Sequence, residues 1–194
     1  MAKLKEQEMV YFRSSTKKMA QAVGILLREE PDHRTSYMRI LKLLVIADRE
    51  SLKQAGCPII GSKVVAMKDG PLHSAVYDLI KNTHLDVQMW DSFFDTVGKF
   101  DIKMHDNPGV DELSPFEIEI LKKVSRDHEW LDQFQLSELT HDFEDWQRAW
   151  ARRGDSGSIE IPFEETLQAI GLGNDAEAIV EAARIHNEAE RVFG

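Results

Sequence analysis

Histidine, thiol and carboxylate groups are where a chain like this could carry chemistry, and their spacing is informative mainly through what it does not build. His128-Glu129 and the run His141-Asp142-Phe143-Glu144-Asp145 contain enough donors for a metal ion. A zinc site of the metalloprotease kind, however, needs two histidines one helical turn apart around a glutamate, and no His-Glu-x-x-His occurs. The His141-Asp142 pair lacks the further His and Asp positions that a His-Asp phosphohydrolase would add from neighbouring helices. His128 and His186 fall on apolar helix stripes, where a hydrogen-bonded core imidazole is the commoner outcome. The single cysteine, Cys57, precedes Pro58 in a turn with nothing beside it to activate the thiol. No Gly-x-Ser-x-Gly elbow is present, and Gly171-Leu172-Gly173 lacks the Lys and the strand-to-helix setting of a phosphate loop. The expectation is therefore a protein that is not an enzyme and uses no metal or cofactor. The chemical alternative is a small metal-dependent hydrolase built on His128, His141 and Asp142.

Asp48 is different in kind. At about 100° per residue, Met38, Leu41, Leu44, Val45 and Leu52 fall in one arc of a helix, and Asp48 lies inside that arc. A carboxylate aimed at a core must find donors, so a cap, a histidine or an arginine from elsewhere in the fold should meet it. Beside the arc, Arg39, Lys42, Arg49 and Lys53 share a narrow basic sector. It could read an acidic partner, or it could be neutralised by neighbours such as Glu50 and Asp78.

The elements that would position these residues follow from caps and periodicity. Ser14 or Ser15 opens a helix through Met19, Val23, Leu26 and Leu27 that Pro31 stops. Thr35 or Ser36 opens the helix carrying Asp48, which Gly56 and Pro58 end. A short strand over 64–67 is closed by the turn pair Asp69-Gly70, and Pro71 suits the first position of a third helix through Val76, Leu79 and Ile80. Phe100, Ile102 and Met104 alternate with polar residues as a half-buried strand does. Ser114-Pro115-Phe116-Glu117 is a capping box opening a helix with Ile120, Leu121, Val124, His128 and Leu131 on one face. A helix over 140–153 should carry Trp146 and Trp150, then a polar loop spans 154–158. A last amphipathic helix over 174–193 lines up Ile179, Ala182, Ala183, His186 and Phe193.

Composition sets the outer bounds. The chain has 194 residues, 42% of them hydrophobic, enough for one domain with a real core. Its formal charge of −10 repels a phosphate backbone, so direct nucleic-acid binding is not expected. A lone cysteine suits a reducing, cytoplasmic compartment. No stretch reaches the ~18 apolar residues of a membrane span, and residues 1–10 lack the apolar stretch of a signal peptide.

The segments Lys42-Leu43-Leu44-Val45-Ile46-Ala47-Asp48-Arg49-Glu50, Gly56-Cys57-Pro58-Ile59-Ile60-Gly61, Val65-Ala66-Met67-Lys68-Asp69-Gly70-Pro71 and Val76-Tyr77-Asp78, taken in order, closely resemble the Panacea domain of SocA-like antitoxins. Leu136-Ser137-Glu138-Leu139-Thr140-His141 and Trp146 are similar to a later segment of the same family. The signature residues the resemblance marks are Lys42, Asp48, Gly61, Gly70, Pro71, Tyr77, His141 and Trp146. It implies a mainly α, compact helical domain with a small β element, at the margin of α+β. The expected division is an N-terminal extension over 1–13, the domain over 14–171, and an amphipathic helix over 172–194 packed on it. The family occurs in antitoxins encoded beside varied toxins and in related mobile-element proteins. The resemblance thus implies an antitoxin that neutralises a co-encoded toxin by direct binding, with a proteolytic adaptor that delivers the toxin to a protease as the alternative. In that case residues 1–13 would be a conceivable protease contact. This chain departs from the common pattern in having Val45 where an aromatic is frequent, Leu72 after Gly-Pro, and no added helix-turn-helix. That last departure argues against promoter binding. The signature does not place the partner surface. The basic sector nominates Arg39, Arg49 and Lys53, and residue type adds Trp90, Phe93, Phe94, Trp150, Arg152 and Arg153, each of which type alone leaves equally open to ordinary core or surface.

Overall fold

A computed structural model describes residue 12 and residues 14–193. The expected extension over 1–13 therefore lies outside the described residues apart from Phe12, as does the side chain of Phe193. The elements run α1 (Thr16–Arg28), β1 (Arg34–Ser36), α2 (Tyr37–Ala55), β2 (Val64–Met67), β3 (Gly70–His73), α3 (Ser74–Ile80), α4 (Val87–Asp91), β4 (Phe94–Val97), β5 (Asp101–Met104), α5 (Pro115–Asp127), α6 (Gln133–His141), α7 (Glu144–Arg152), β6 (Ser158–Glu160), α8 (Phe163–Ala169) and α9 (Ala176–Phe193). Helix dominates among the described residues, and the strands form two antiparallel three-stranded sheets, β1-β5-β4 and β3-β2-β6. No helix of the described residues is long and apolar enough to cross a membrane.

Local chemistry explains the helix ends. The Ser15 hydroxyl accepts from Lys18 N, Ser114 and Glu117 exchange both bonds of a capping box, and Gly56 closes α2 in the left-handed region at φ 68°. Helix α2 is the axis of the fold. It packs on α1, α5, α6 and β3, and residues 39–49 are buried all round, not along one face. The sector of Arg39, Lys42 and Arg49 is therefore interior, and only Lys53 remains exposed, paired to Glu50 at 2.9 Å.

Five expectations are corrected. Pro71 does not start a helix; it sits in β3, and the helix begins at Ser74. Strand β3 is an edge strand, where a residue without an N–H costs no ladder bond. The helix expected over 140–153 is two helices, α6 and α7, broken at Asp142-Phe143, with Glu144 and Asp145 suited to the positive end of the new helix. Ser158 leaves the polar loop to pair with Met67 in β6. In the strand over 100–104, Ile102 and Met104 are buried but Phe100 is exposed. On α9, Ile179 and Ala183 turn inward and Ala182 is exposed, while His186, though exposed, sets its ring 5.7 Å from that of Phe12. Ile179, Val180 and Ala183 pack with Phe12, Leu52 and Leu167.

Candidate functional site

Between α2 and the segment that follows it, Asp48 gathers a set of donors. Its Oδ1 accepts from Ile59 N at 2.9 Å and Ile60 N at 2.8 Å, and its Oδ2 from Gly61 N at 2.8 Å. His73 Nε2 stands 3.3 Å from the same Oδ2, without the alignment of a hydrogen bond. The carbonyls of this loop are satisfied as well: Ser14 Oγ donates to Ile60 O at 2.6 Å and Ser51 Oγ to Cys57 O at 2.6 Å. Gly61 makes the turn possible. Its φ is +58°, and a Cβ there would lie 2.6 Å from Phe12 Cβ.

Lys42 is a second polar group sunk in the core, at 2% exposure. Its Nζ donates to Pro71 O at 2.8 Å, and Gly70 (φ +94°) leaves it room, since a Cβ there would stand 3.1 Å from Nζ and 2.5 Å from Thr140 Oγ1. Burial pushes the ammonium down from 10.5 to about 7, with Asp69 opposing. A lowered lysine pKa means that the unfolded chain binds the extra proton between about pH 7 and 10.5, so stability rises with pH through that window and the cost of burial is complete below it. Relative to Lys42→Met, the parent should gain about 2 kcal/mol between pH 7.5 and 9.5 in urea unfolding. Parallel pH profiles of the two would show that the amine does not titrate in the fold.

A third tie joins α2 to the C-terminal half. Arg49 Nη1 donates to both Asp145 oxygens, at 3.0 and 2.8 Å, and Thr166 Oγ1 donates to Asp145 Oδ2 at 2.8 Å. The Arg49 guanidinium also lies over the Phe143 ring, 4.0 Å from its centroid. Next along α7, Trp146 Nε1 donates to Met67 O at 3.1 Å and fixes the helix on β2. From Trp146 an aromatic stack continues outward. His141 lies 4.2 Å from it on one side, Trp150 5.9 Å on the other, and Arg153 caps Trp150 at 3.7 Å. Tyr77 is half-buried, edge-on to Tyr37 at 6.4 Å.

Asp48, Arg49 and Asp145 border a small cavity of ≈ 40 Å³, with Ser62 and His73 also in its wall. Ser62, His73 and Asp48 superficially suggest a nucleophile relay, because Ser62 Oγ is 3.2 Å from His73 Nδ1. The arrangement does not make one. Asp48 is already satisfied by three amides, His73 Nδ1 also lies 3.3 Å from Ser62 O, and all three side chains are buried. Cys57 is no better placed, since desolvation raises its thiol pKa, an effect Lys18 only partly opposes. Among the described residues no three His, Cys, Asp or Glu side chains converge as metal ligands, so His128, His141 and Asp142 are not brought into one site. His128 Nδ1 instead lies 2.8 Å from Val124 O.

Of the residues nominated as partner contacts, Trp90 and Phe94 lie in the core, their rings 4.4 Å apart, and Phe93 is half-buried. Arg39 is buried against Glu30 at 2.6 Å, and Arg49 is the buried partner of Asp145. On the surface are Lys53, Arg152, paired with Glu165 at 2.8 Å, and the half-buried Trp150 and Arg153. Residue type missed the two most open aromatics of this half of the molecule, Trp130 and Phe134, which are 70% and 64% exposed. The available signal was the Asp132-x-x-Gln135 capping box, which sets both at a helix start.

No curated protein and no solved structure matches the chain. The family described as Antitoxin SocA-like, Panacea domain, matches residues 40–147, from α2 into α7, and so takes in all three buried ties except Thr166. With more than half of its length matched, the chain belongs to the SocA-like antitoxin family of Panacea-domain proteins.

Proposed function

We propose that this protein is the antitoxin of a toxin–antitoxin pair and silences a co-encoded toxin in the cytoplasm by direct, stoichiometric binding. The family match over residues 40–147 carries the reading. The location of the signature residues supports it: Lys42, Asp48, Gly61, Gly70 and Pro71 all make contacts inside the fold, which leaves the surface for recognition. A formal charge of −10 suits a basic toxin that acts on nucleic acid.

Co-expression with the product of the adjacent reading frame tests this. Growth should be restored, and the two chains should co-purify in a fixed ratio. Protection that disappears in a protease-deficient host would replace direct binding with the adaptor role. Protection by far less than one antitoxin per toxin, without any protease, would mean catalysis.

A further inference from the structure

The corner between α5 and α6 is built as a rigid display for two aromatic rings. Trp130 and Phe134 stand at 70% and 64% exposure on either side of the N-cap Asp132. Leu131, between them, turns in and packs on the core. The backbone beneath is pinned from inside, because the buried Arg39 donates to His128 O and to Leu131 O while its Nε holds Glu30. Asp132 accepts from Phe134 N and Gln135 N at 2.8 Å each, so the first turn of α6 is fixed as well. A large ring held in water on an immobile frame loses little freedom when a partner covers it, which is the property of a binding hot spot.

Open clefts lie on both sides of the corner. Arg126 and Glu129 border one of ≈ 210 Å³ with Glu29 and Glu30, and Asp127 and His128 border another of ≈ 340 Å³ with Leu139. The charge left available here is negative. Lys123 is already bound to Asp127 and Lys53 to Glu50, whereas Glu29, Glu129, Asp132 and Glu138 are exposed, against Lys122 and Arg126 as the cations of α5 that form no ion pair among the described residues. A basic segment would meet attraction at the rim and, at the centre, an indole face able to hold a guanidinium or ammonium.

We propose that Trp130 and Phe134 form the centre of the surface on which the toxin is held, and that a basic segment of the toxin occupies it. This rests on the antitoxin reading above, with which it stands or falls only in one direction. The test uses the full chain and the purified product of the adjacent reading frame, with binding measured for the parent, Trp130→Ala, Phe134→Ala, Glu129→Arg and, as a distant exposed control, Leu85→Ala. Trp130→Ala should weaken binding by about 30-fold or more, and Phe134→Ala by about 10-fold. Glu129→Arg should weaken it by about 10-fold and flatten its salt dependence, while Leu85→Ala stays within about 2-fold. Thermal melts of all four should match the parent, since each side chain is exposed and outside the core. If the parent binds and both aromatic variants bind equally well, the surface is elsewhere and the inference falls while the antitoxin reading survives. If the parent neither binds nor protects, both fall. If light scattering shows a parent dimer that Trp130→Ala makes monomeric with toxin affinity unchanged, the patch joins two copies of this chain and the inference is again overturned.

Discussion

Asp48→Ala should be among the most damaging single substitutions in this protein, with a loss of about 3 kcal/mol or more. It orphans three buried amide donors, those of Ile59, Ile60 and Gly61, in a loop whose side chains are themselves in the core. Each abandoned buried donor costs ~1–3 kcal/mol. Asp48→Asn separates shape from charge. It retains one oxygen for two of the amides but turns an NH₂ toward the third, so it should recover only part of the loss. Urea unfolding monitored by far-UV dichroism reads both. A variant that unfolds at the parent's midpoint yet no longer neutralises would move Asp48 from the frame of the molecule to its working surface.

Arg49→Ala should cost about 3–5 kcal/mol, because Asp145 would remain as an uncompensated buried charge. Thr166 Oγ1 and Trp146 N would still donate to it, but neither carries charge. Asp145→Ala should lose a similar amount by stranding the guanidinium, which would keep only the Phe143 ring. The two are in direct contact, so the double change should cost clearly less than the sum, and Arg49→Met with Asp145→Leu should recover part of it. A strictly additive cycle would show that the two groups stabilise the fold independently. The near-ultraviolet signal of Trp146 and Trp150 is the second readout, since loss of this tie frees α7 to shift on β2.

What the sequence made legible divides along one physical line. Features settled within a few residues were readable: Ser15 and Ser114 as caps, Gly56 as a left-handed stop, and Asp48 as a carboxylate in an apolar arc requiring donors. Features settled by distant pairing were not. Pro71 suits both a helix start and an edge strand, and only pairing with Ala66 decides between them. Strand β6 is three residues long and exists because Ile159 lies opposite Ala66. The basic sector of α2 looked like a polar face because nothing local shows that Arg39 ends on Leu131 O, Lys42 on Pro71 O and Arg49 on Asp145. The candidate surface was hidden for the converse reason. Trp130 and Phe134 are residues that usually lie in a core, and their exposure depends on Arg39 and Leu131 fixing the corner that lifts them into solvent.

The Asp48 and Arg49 ties differ sharply in chain length although the residues are neighbours. Asp48 closes a loop of 11 residues to Ile59, while Arg49 closes one of 96 to Asp145. Loop closure entropy grows as three halves RT times the logarithm of length, so the longer closure costs about 2 kcal/mol more before any bond forms. Adjacent positions on one helix therefore carry closure costs of very different size. The carboxylate of Asp48 stabilises a segment that nearly closes on itself, and the guanidinium of Arg49 fastens α7 across a far longer span of chain.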